Sequence, residues 1–171
     1  MIKPMLAHKF DDKRVDWSQP VYIQPKLDGV RCVITKDGAF SRTGKQFKNI
    51  NHIELSLIKF FDQHPDVILD GELYNHDLKD DFEKIISLVR KQKPTIDDRV
   101  DAKNLTQFHC YDYFDGVQYD SYKTRMNNLA TSDIYNYCIK YVPAKLVDSY
   151  NYARTLHKEY LAAGYEGSII R

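Results

Sequence analysis

Apolar and polar residues alternate in short runs near the start of the chain, then change period further on. After an extended lead-in, Lys3-Pro4-Met5-Leu6-Ala7, the segments Val21–Gln24, Val30–Lys36 and Ala39–Arg42 read as strands joined by short turns. From residue 51 the spacing becomes helical: Ile53, Leu57, Phe60 and Phe61 fall on one face, and Pro65 ends the segment. Asn51 with Glu54 three positions on predicts an N-cap and its capping partner. Val67–Tyr74 returns as strand, and Asp81–Lys91 as an amphipathic helix burying Phe82, Ile85, Ile86 and Val89. The polar stretch Lys93–Asn104 reads as a loop. Gln107–Phe114 is an aromatic-rich strand that alternation splits into Cys110 and Asp112 on one face and His109, Tyr111 and Tyr113 on the other. Tyr122–Leu129 reads as a short helix, and Lys140–Val147 as a strand whose Pro143 marks an edge or bulge. Tyr150–Ala163 is a helix with Tyr152, Leu156, Tyr160 and Leu161 aligned, closed by Gly164 at C′ before a last strand, Tyr165–Arg171. Strands and helices without regular alternation predict an α+β fold with mostly antiparallel sheets and flanking helices.

Composition narrows the class. With 171 residues the chain is one domain long, and aromatics at 13% favour a globular core. No apolar run reaches membrane-spanning length and the first residues lack a signal-peptide core, so a cytoplasmic location is expected. Cys32, Cys110 and Cys138 are widely spaced and read as buried or free thiols, not as disulfides or a zinc site. A net charge of +1 argues against wholesale coating of nucleic acid.

The candidate chemistry begins at Gln24-Pro25-Lys26-Leu27-Asp28-Gly29-Val30-Arg31. Taken alone, Asp28-Gly29 between two β-type runs is a hairpin signal, as is Asp37-Gly38. Four further segments follow in order: Ser41-Arg42-Thr43-Gly44-Lys45, Leu69-Asp70-Gly71-Glu72-Leu73, Phe108-His109-Cys110-Tyr111-Asp112-Tyr113 and Tyr165-Glu166-Gly167-Ser168-Ile169-Ile170-Arg171. Each has a plain reading of its own. They are a polar turn, a bulge with an exposed glutamate, a core strand and a strand start. Gly71 stands inside an apolar run, where glycine weakens a strand unless backbone or ligand must approach closely.

In series, the order Lys-x-Asp-Gly-x-Arg and its followers resemble covalent nucleotidyltransferases, in particular the adenylation domain of small viral or phage-like ATP-dependent DNA ligases. Pro4-Met5-Leu6-Ala7 is similar to the lead-in of those domains. The resemblance spans residues 24–171 and implies the ATP-grasp-like core of DNA ligases, acting in replication, repair and recombination. It implies that Lys26 is the catalytic nucleophile that carries AMP. Gln24 then reads the adenine edge, Tyr111 stacks on its face, Arg31 and Arg42 balance phosphate charge, and Glu72 lies near the ribose. Glu72 and Glu166 are the implied carboxylates for Mg²⁺, which favours one or two carboxylates plus phosphate oxygens and water. The implied partner is nicked double-stranded DNA. An ordinary lysine, with a pKa of about 10.4, must lose its proton before it attacks phosphorus.

The series stops after the Glu-Gly element. The family's terminal Lys-x-Lys and the oligonucleotide-binding (OB-fold) barrel that follows it are not found in residues 1–171. A C-terminal domain or second chain is therefore expected to supply both. An RNA ligase or a capping-type nucleotidyltransferase shares the Lys26 chemistry, and a non-catalytic nucleotide- or DNA-binding module is the reading from a different class.

Overall fold

The computed structural model describes residues 4–117 and 120–171, so Lys3, at the start of the lead-in, lies outside the described residues. Two compact units divide the chain. One holds Gly29–Tyr141, the other Met5–Asp28 with Val142–Arg171.

In the second of these, β1 (Val21–Lys26) is the middle strand of a three-stranded antiparallel sheet, flanked by β7 (Lys145–Val147) and β8 (Gly167–Ile170). Helix α6 (Tyr150–Ala162) is capped by Ser149, whose hydroxyl accepts from the Tyr152 N–H, and Gly164 follows it at a φ of 88°. Val21, Ile23, Val147, Ala153 and Leu156 form this unit's core.

The Gly29–Tyr141 unit is built on a five-stranded sheet: β2 (Val30–Thr35), β3 (Gly38–Ser41), β4 (Ile68–Tyr74), β5 (Gln107–Phe114) and β6 (Ile139–Tyr141), in the order β3-β2-β4-β5-β6. Only the β5–β6 pair is parallel. Helices α1 (Asn51–Ser56), α2 (Ile58–Gln63), α3 (Phe82–Val89), α4 (Ile96–Leu105) and α5 (Tyr122–Thr131) flank it. Their apolar faces meet the sheet in a core that includes Ile34, Ile53, Leu57, Leu69, Ile85, Phe108 and Leu129. Cys32, Cys110 and Cys138 are buried free thiols. The α+β architecture with mostly antiparallel strands is the expected one, and Asp37-Gly38 makes the expected β2–β3 hairpin.

Several local expectations are corrected. The helix from residue 51 breaks at Leu57 into α1 and α2. Ile50, not Asn51, stands at its N-cap, and Glu54 instead accepts the Ala39 N–H at 3.2 Å. In α3 the buried residues are Ile85, Leu88 and Val89, whereas Phe82 and Ile86 are only half-buried. Lys93–Asn104 is not a loop: it contains α4, closed at its start by a capping box in which Thr95 and Asp98 bond each other's backbone. Pro143 does more than mark an edge. Residues 142–144 separate β6 from β7, which belong to different sheets. Along α6, Ala153 and Leu156 are buried while Tyr152 and Leu161 are exposed.

Candidate functional site

Lys26 is the last residue of β1 and pairs in register with Gly167 of β8. The Lys26 carbonyl accepts the Glu166 N–H at 3.1 Å, so the two side chains leave the same end of the strand pair. There the Lys26 ammonium forms an ion pair with Glu166 Oε1, both side chains being about half exposed. Gln24, two residues earlier on β1, is buried, and its Oε1 accepts from Arg171 Nε at 2.7 Å. His157 of α6 shares a hydrogen bond of 2.9 Å with the Ser168 hydroxyl, tying the helix to β8 next to Gly167.

Asp28-Gly29 is not a hairpin turn. β1 and β2 lie in different sheets, and Gly29 does not take a positive φ. Space explains the glycine: a Cβ there would lie 2.6 Å from both Glu72 Cγ and the Leu73 carbonyl oxygen.

In the Gly29–Tyr141 unit, Arg31 of β2 stands opposite Glu72 of β4. Its guanidinium is held side-on by Asp70, with Nε donating to Oδ1 at 3.0 Å and Nη2 to Oδ2 at 2.5 Å. Burial works against that charge, but the hydrogen bond from Asp70 and the fields of Tyr111, Asp70 and Glu72 outweigh it and raise the Arg31 pKa. The Arg31 guanidinium lies 6.0 Å from the centre of the Tyr111 ring. The Tyr111 hydroxyl donates to Glu72 Oε2 at 3.3 Å.

Tyr111 owes its position to a bulge. Cys110 pairs with Gly71 and Asp112 with Asp70, so Tyr111 is the extra residue on β5. This breaks the expected alternation: Tyr113 joins Phe108 and Cys110 in the core, and Asp112 turns to Arg125 of α5. Arg125 Nε and Nη2 donate to the two Asp112 oxygens at 2.8 and 3.2 Å, while Asp70, opposite Asp112 on β4, accepts from Arg31. Gly71 itself has no room for a side chain. A Cβ would meet the His109 carbonyl oxygen at 2.5 Å and the Phe108 ring at 2.6 Å. The close approach anticipated for this glycine is thus made by backbone and a core ring.

Arg42 is exposed in the turn Ser41–Lys45, which is closed by Gly44 N–H to the Ser41 carbonyl at 2.8 Å and Lys45 N–H to the Ser41 hydroxyl at 3.0 Å. The chain therefore brings Lys26 together with Glu166, and Arg31 with Glu72 and Tyr111. Among the described residues Arg42 makes no hydrogen bond or ion pair with Arg31, Glu72 or Tyr111. Asp70 and Arg171 lie within the ordered motifs, but motif order does not reveal that they pair with Arg31 and Gln24, and Arg125, the partner of Asp112, lies outside all of them.

Among the described residues no three His, Cys, Asp or Glu side chains gather as a metal cage. Mg²⁺ does not require one. The Glu166 carboxylate already holds one cation at a half-exposed oxygen, and that donor chemistry fits a hard metal ion.

Mixed sheets with flanking helices are the architecture of the nucleotidyltransferase core of DNA ligases. Residues 4–171 match the model of the ATP dependent DNA ligase domain, and the chain belongs to that family. Its fold is shared with a Lig E DNA ligase described as binding DNA with a minimal scaffold. That match has 20% identity and a TM-score of 0.76, over all of this chain and 62% of that one. Chlorella virus DNA ligase-adenylate matches at 20% identity and a TM-score of 0.74, over 99% of this chain and 59% of that one. The ATP-dependent DNA ligase of bacteriophage T7 in complex with ATP matches at 16% and 0.65, over 89% and 56%. The chain spans less than two thirds of each of these enzymes. No curated protein matches it. Among the described residues no helix is long and apolar enough to cross a membrane.

Proposed function

We propose that this chain is the adenylation unit of an ATP-dependent DNA ligase, with Lys26 as the residue that carries AMP. The observation that supports this reading best is the meeting of Lys26 with Glu166, the first and last of the ordered motifs. In the proposed step the Lys26–Glu166 contact opens, the Lys26 ammonium gives up one proton to water and Nζ attacks the α-phosphorus of ATP. An N–P bond forms and the P–O bond to pyrophosphate breaks. Tyr111 is proposed to stack on the adenine, its ring oriented by Glu72 and Arg31. Gln24, oriented by Arg171, is proposed to read the adenine edge. Arg31 offers a fixed positive field and Arg42 an exposed guanidinium for phosphate oxygens, and Glu72 is assigned to the ribose. Glu72 and Glu166 supply hard oxygens for Mg²⁺, whose chemistry when bound is neutralisation of phosphate charge.

Transfer of AMP to the 5′-phosphate of nicked DNA, and its displacement by the neighbouring 3′-hydroxyl, complete the proposed reaction. For that stage the chain is proposed to work with an oligonucleotide-binding domain, in cis or in trans, in the cytoplasm. The test is intact-protein mass spectrometry after incubation with Mg-ATP or Mg-GTP, beside Lys26→Ala. The expected result is a gain of one AMP from ATP alone, absent in the variant. Labelling by GTP alone would assign a capping-type enzyme. Sealing of RNA ends in preference to nicked DNA would assign an RNA ligase. Reversible binding with no covalent AMP, even with the oligonucleotide-binding domain added, would leave a binding module.

A further inference from the structure

A second cleft in the Gly29–Tyr141 unit shares no residue with the Arg31, Glu72 and Tyr111 cluster. It encloses about 420 Å³ between α1 and α4 and is lined by Asn49, His52, Leu55, Arg99, Lys103 and Tyr137, with Asn51 and Ser56 at its side. That volume is within the ~300–1,000 Å³ usual for small-molecule sites. Its shape follows from helical spacing. His52, Leu55 and Ser56 stand at i, i+3 and i+4 on α1, and Arg99 and Lys103 at i and i+4 on α4.

The charges of α4 are sorted by face. Asp98 is paired with Lys91, and Asp101 lies 3.8 Å from Lys84. Arg99 and Lys103 face the cleft, which no carboxylate lines. Arg99 is fixed at one edge, its Nη1 donating to Asn51 Oδ1 at 2.5 Å. His52 shares a hydrogen bond with the Thr106 carbonyl at 2.9 Å. Burial, with help from the Lys103 charge, lowers its pKa, so the positive charge comes from Arg99 and Lys103. Asn49 is buried, and its amide nitrogen donates to the carbonyls of Leu88 and Asp98 at 3.0 and 3.1 Å. Its Oδ1 is buried with no hydrogen-bond partner among the described residues. The remaining wall is apolar and aromatic: Leu55 is 66% and Tyr137 57% exposed.

Two cations with no ion-pair partner among the described residues suit a phosphate, and an exposed tyrosine and leucine in the same cleft suit the flat face of a base. We propose that this cleft binds one nucleotide unit, with its phosphate on Arg99 and Lys103 and its base against Tyr137 and Leu55. Such a unit arrives either as a free mononucleotide or as part of a single strand. Neither Arg99 nor Lys103 is among the residues assigned above to the Lys26 chemistry.

The test is an amide NMR titration of the whole chain at low salt with thymidine 5′-monophosphate, a short 5′-phosphorylated oligothymidylate, and thymidine. Shifts are expected at Asn51–Ser56, Arg99–Lys103 and Tyr137 with both phosphorylated probes and not with thymidine. In Arg99→Ala/Lys103→Ala, affinity is expected to fall about tenfold or more, as for the loss of charged hydrogen bonds. Arg99→Lys/Lys103→Arg should keep most of it. Equal affinity for the two phosphorylated probes assigns a mononucleotide site, and tighter binding of the oligonucleotide assigns a strand. No shifts at these residues, shifts that persist unchanged in the double alanine variant, or thymidine binding as well as its monophosphate would each overturn the proposal. An unchanged melting temperature reports intact folding of the variants. Covalent AMP on Lys26, measured in parallel, judges the ligase reading separately.

Discussion

Lys26 and Glu166, 140 residues apart in the chain, form an ion pair at one end of the β1–β8 strand pair. The contact holds the Lys26 ammonium as a hydrogen-bond donor to a carboxylate. In the proposed mechanism Lys26 attacks only after this contact opens and the proton leaves. Glu166 would then be released to act on another cation, so that one carboxylate would serve two states in turn.

Substitution should separate these roles. Lys26→Arg keeps a cation beside Glu166 but offers no amine nucleophile, so it is expected to fold normally and to form no covalent AMP by mass spectrometry. Glu166→Gln is expected to leave the melting temperature nearly unchanged, because a half-exposed ion pair contributes only about 0–1 kcal/mol. Its rate of AMP attachment should nevertheless fall by roughly 10²-fold, the usual effect of removing one preorganised electrostatic group. Wild-type rates in Glu166→Gln would remove that carboxylate from the reaction.

Tyr111 is joined to its surroundings in two ways, and two variants distinguish them. Tyr111→Phe loses the 3.3 Å hydrogen bond to Glu72 but keeps the ring over Arg31. Affinity for ATP is expected to weaken by several-fold, about 1 kcal/mol. Tyr111→Ala loses the stacking surface as well, about 1–3 kcal/mol more, or roughly tenfold to a hundredfold. Isothermal titration with ATP on a Lys26→Ala background reads binding without chemistry. Equal losses in the two variants would argue against stacking.

How far the sequence carries this picture depends on what kind of force builds each part. Apolar periodicity marks β2, β4, β5, α3 and α6 within a few residues, because burial of one face organises them. It misses α4, where only Ala102 is buried. That helix rests on charge and capping, and its one local signal, Thr95 with Asp98 three residues on, is easily overlooked in a polar stretch. The bulge at Tyr111 has no local signal at all, since it is set by which β4 residue each β5 residue meets. The proposed site residues stand in the sequence as an ordered series of motifs. The pairings of Arg31 with Asp70 and of Asp112 with Arg125 cannot be read there, because an ion pair between separate elements leaves no spacing to read.

The Arg31–Asp70 pair should matter for stability as well as for the site. Both side chains are about four-fifths buried and meet through two hydrogen bonds. Asp70→Ala leaves a buried guanidinium without its main counter-charge, and a loss of about 1–3 kcal/mol is expected after allowing for residual solvent. Urea unfolding checks this. Adenylation should fall too, since Arg31 is then free to pull away from Tyr111.

The start of α4 carries a pH dependence of definite sign. The Asp98 carboxyl is held down at about 2, first by Lys91 and then by the Thr95 N–H, against an ordinary value of 3.8. A depressed carboxyl stabilises the fold fully above its unfolded value and loses that contribution as pH falls through its folded one. Amide exchange at α4 should therefore accelerate as pH drops from 3.8 towards about 2, beyond the change expected from exchange chemistry alone. Asp98→Asn should be flat across that window. A wild-type profile as flat as the variant's would show that the capping carboxylate contributes nothing there.

Gly71 offers the sharpest steric test, because its neighbours are not free to give way. An added methyl would lie 2.5 Å from the His109 carbonyl oxygen and 2.6–2.7 Å from two atoms of the fully buried Phe108 ring. The carbonyl belongs to β5, which is paired along β4 on both sides of the bulge, so relief requires the two strands to part. Overpacking of this kind costs about 1–3 kcal/mol in ordinary cores, and the upper part of that range is expected for Gly71→Ala in urea unfolding. Phe108→Leu removes part of the obstruction but not the carbonyl, so it should rescue the variant only in part. The strand separation should also displace Glu72, next to Gly71 on β4, and Tyr111, the bulged residue of β5. ATP affinity in Gly71→Ala is therefore expected to fall even under conditions where the protein is fully folded. Full affinity in a folded Gly71→Ala variant would show that the bulge does not position these two residues.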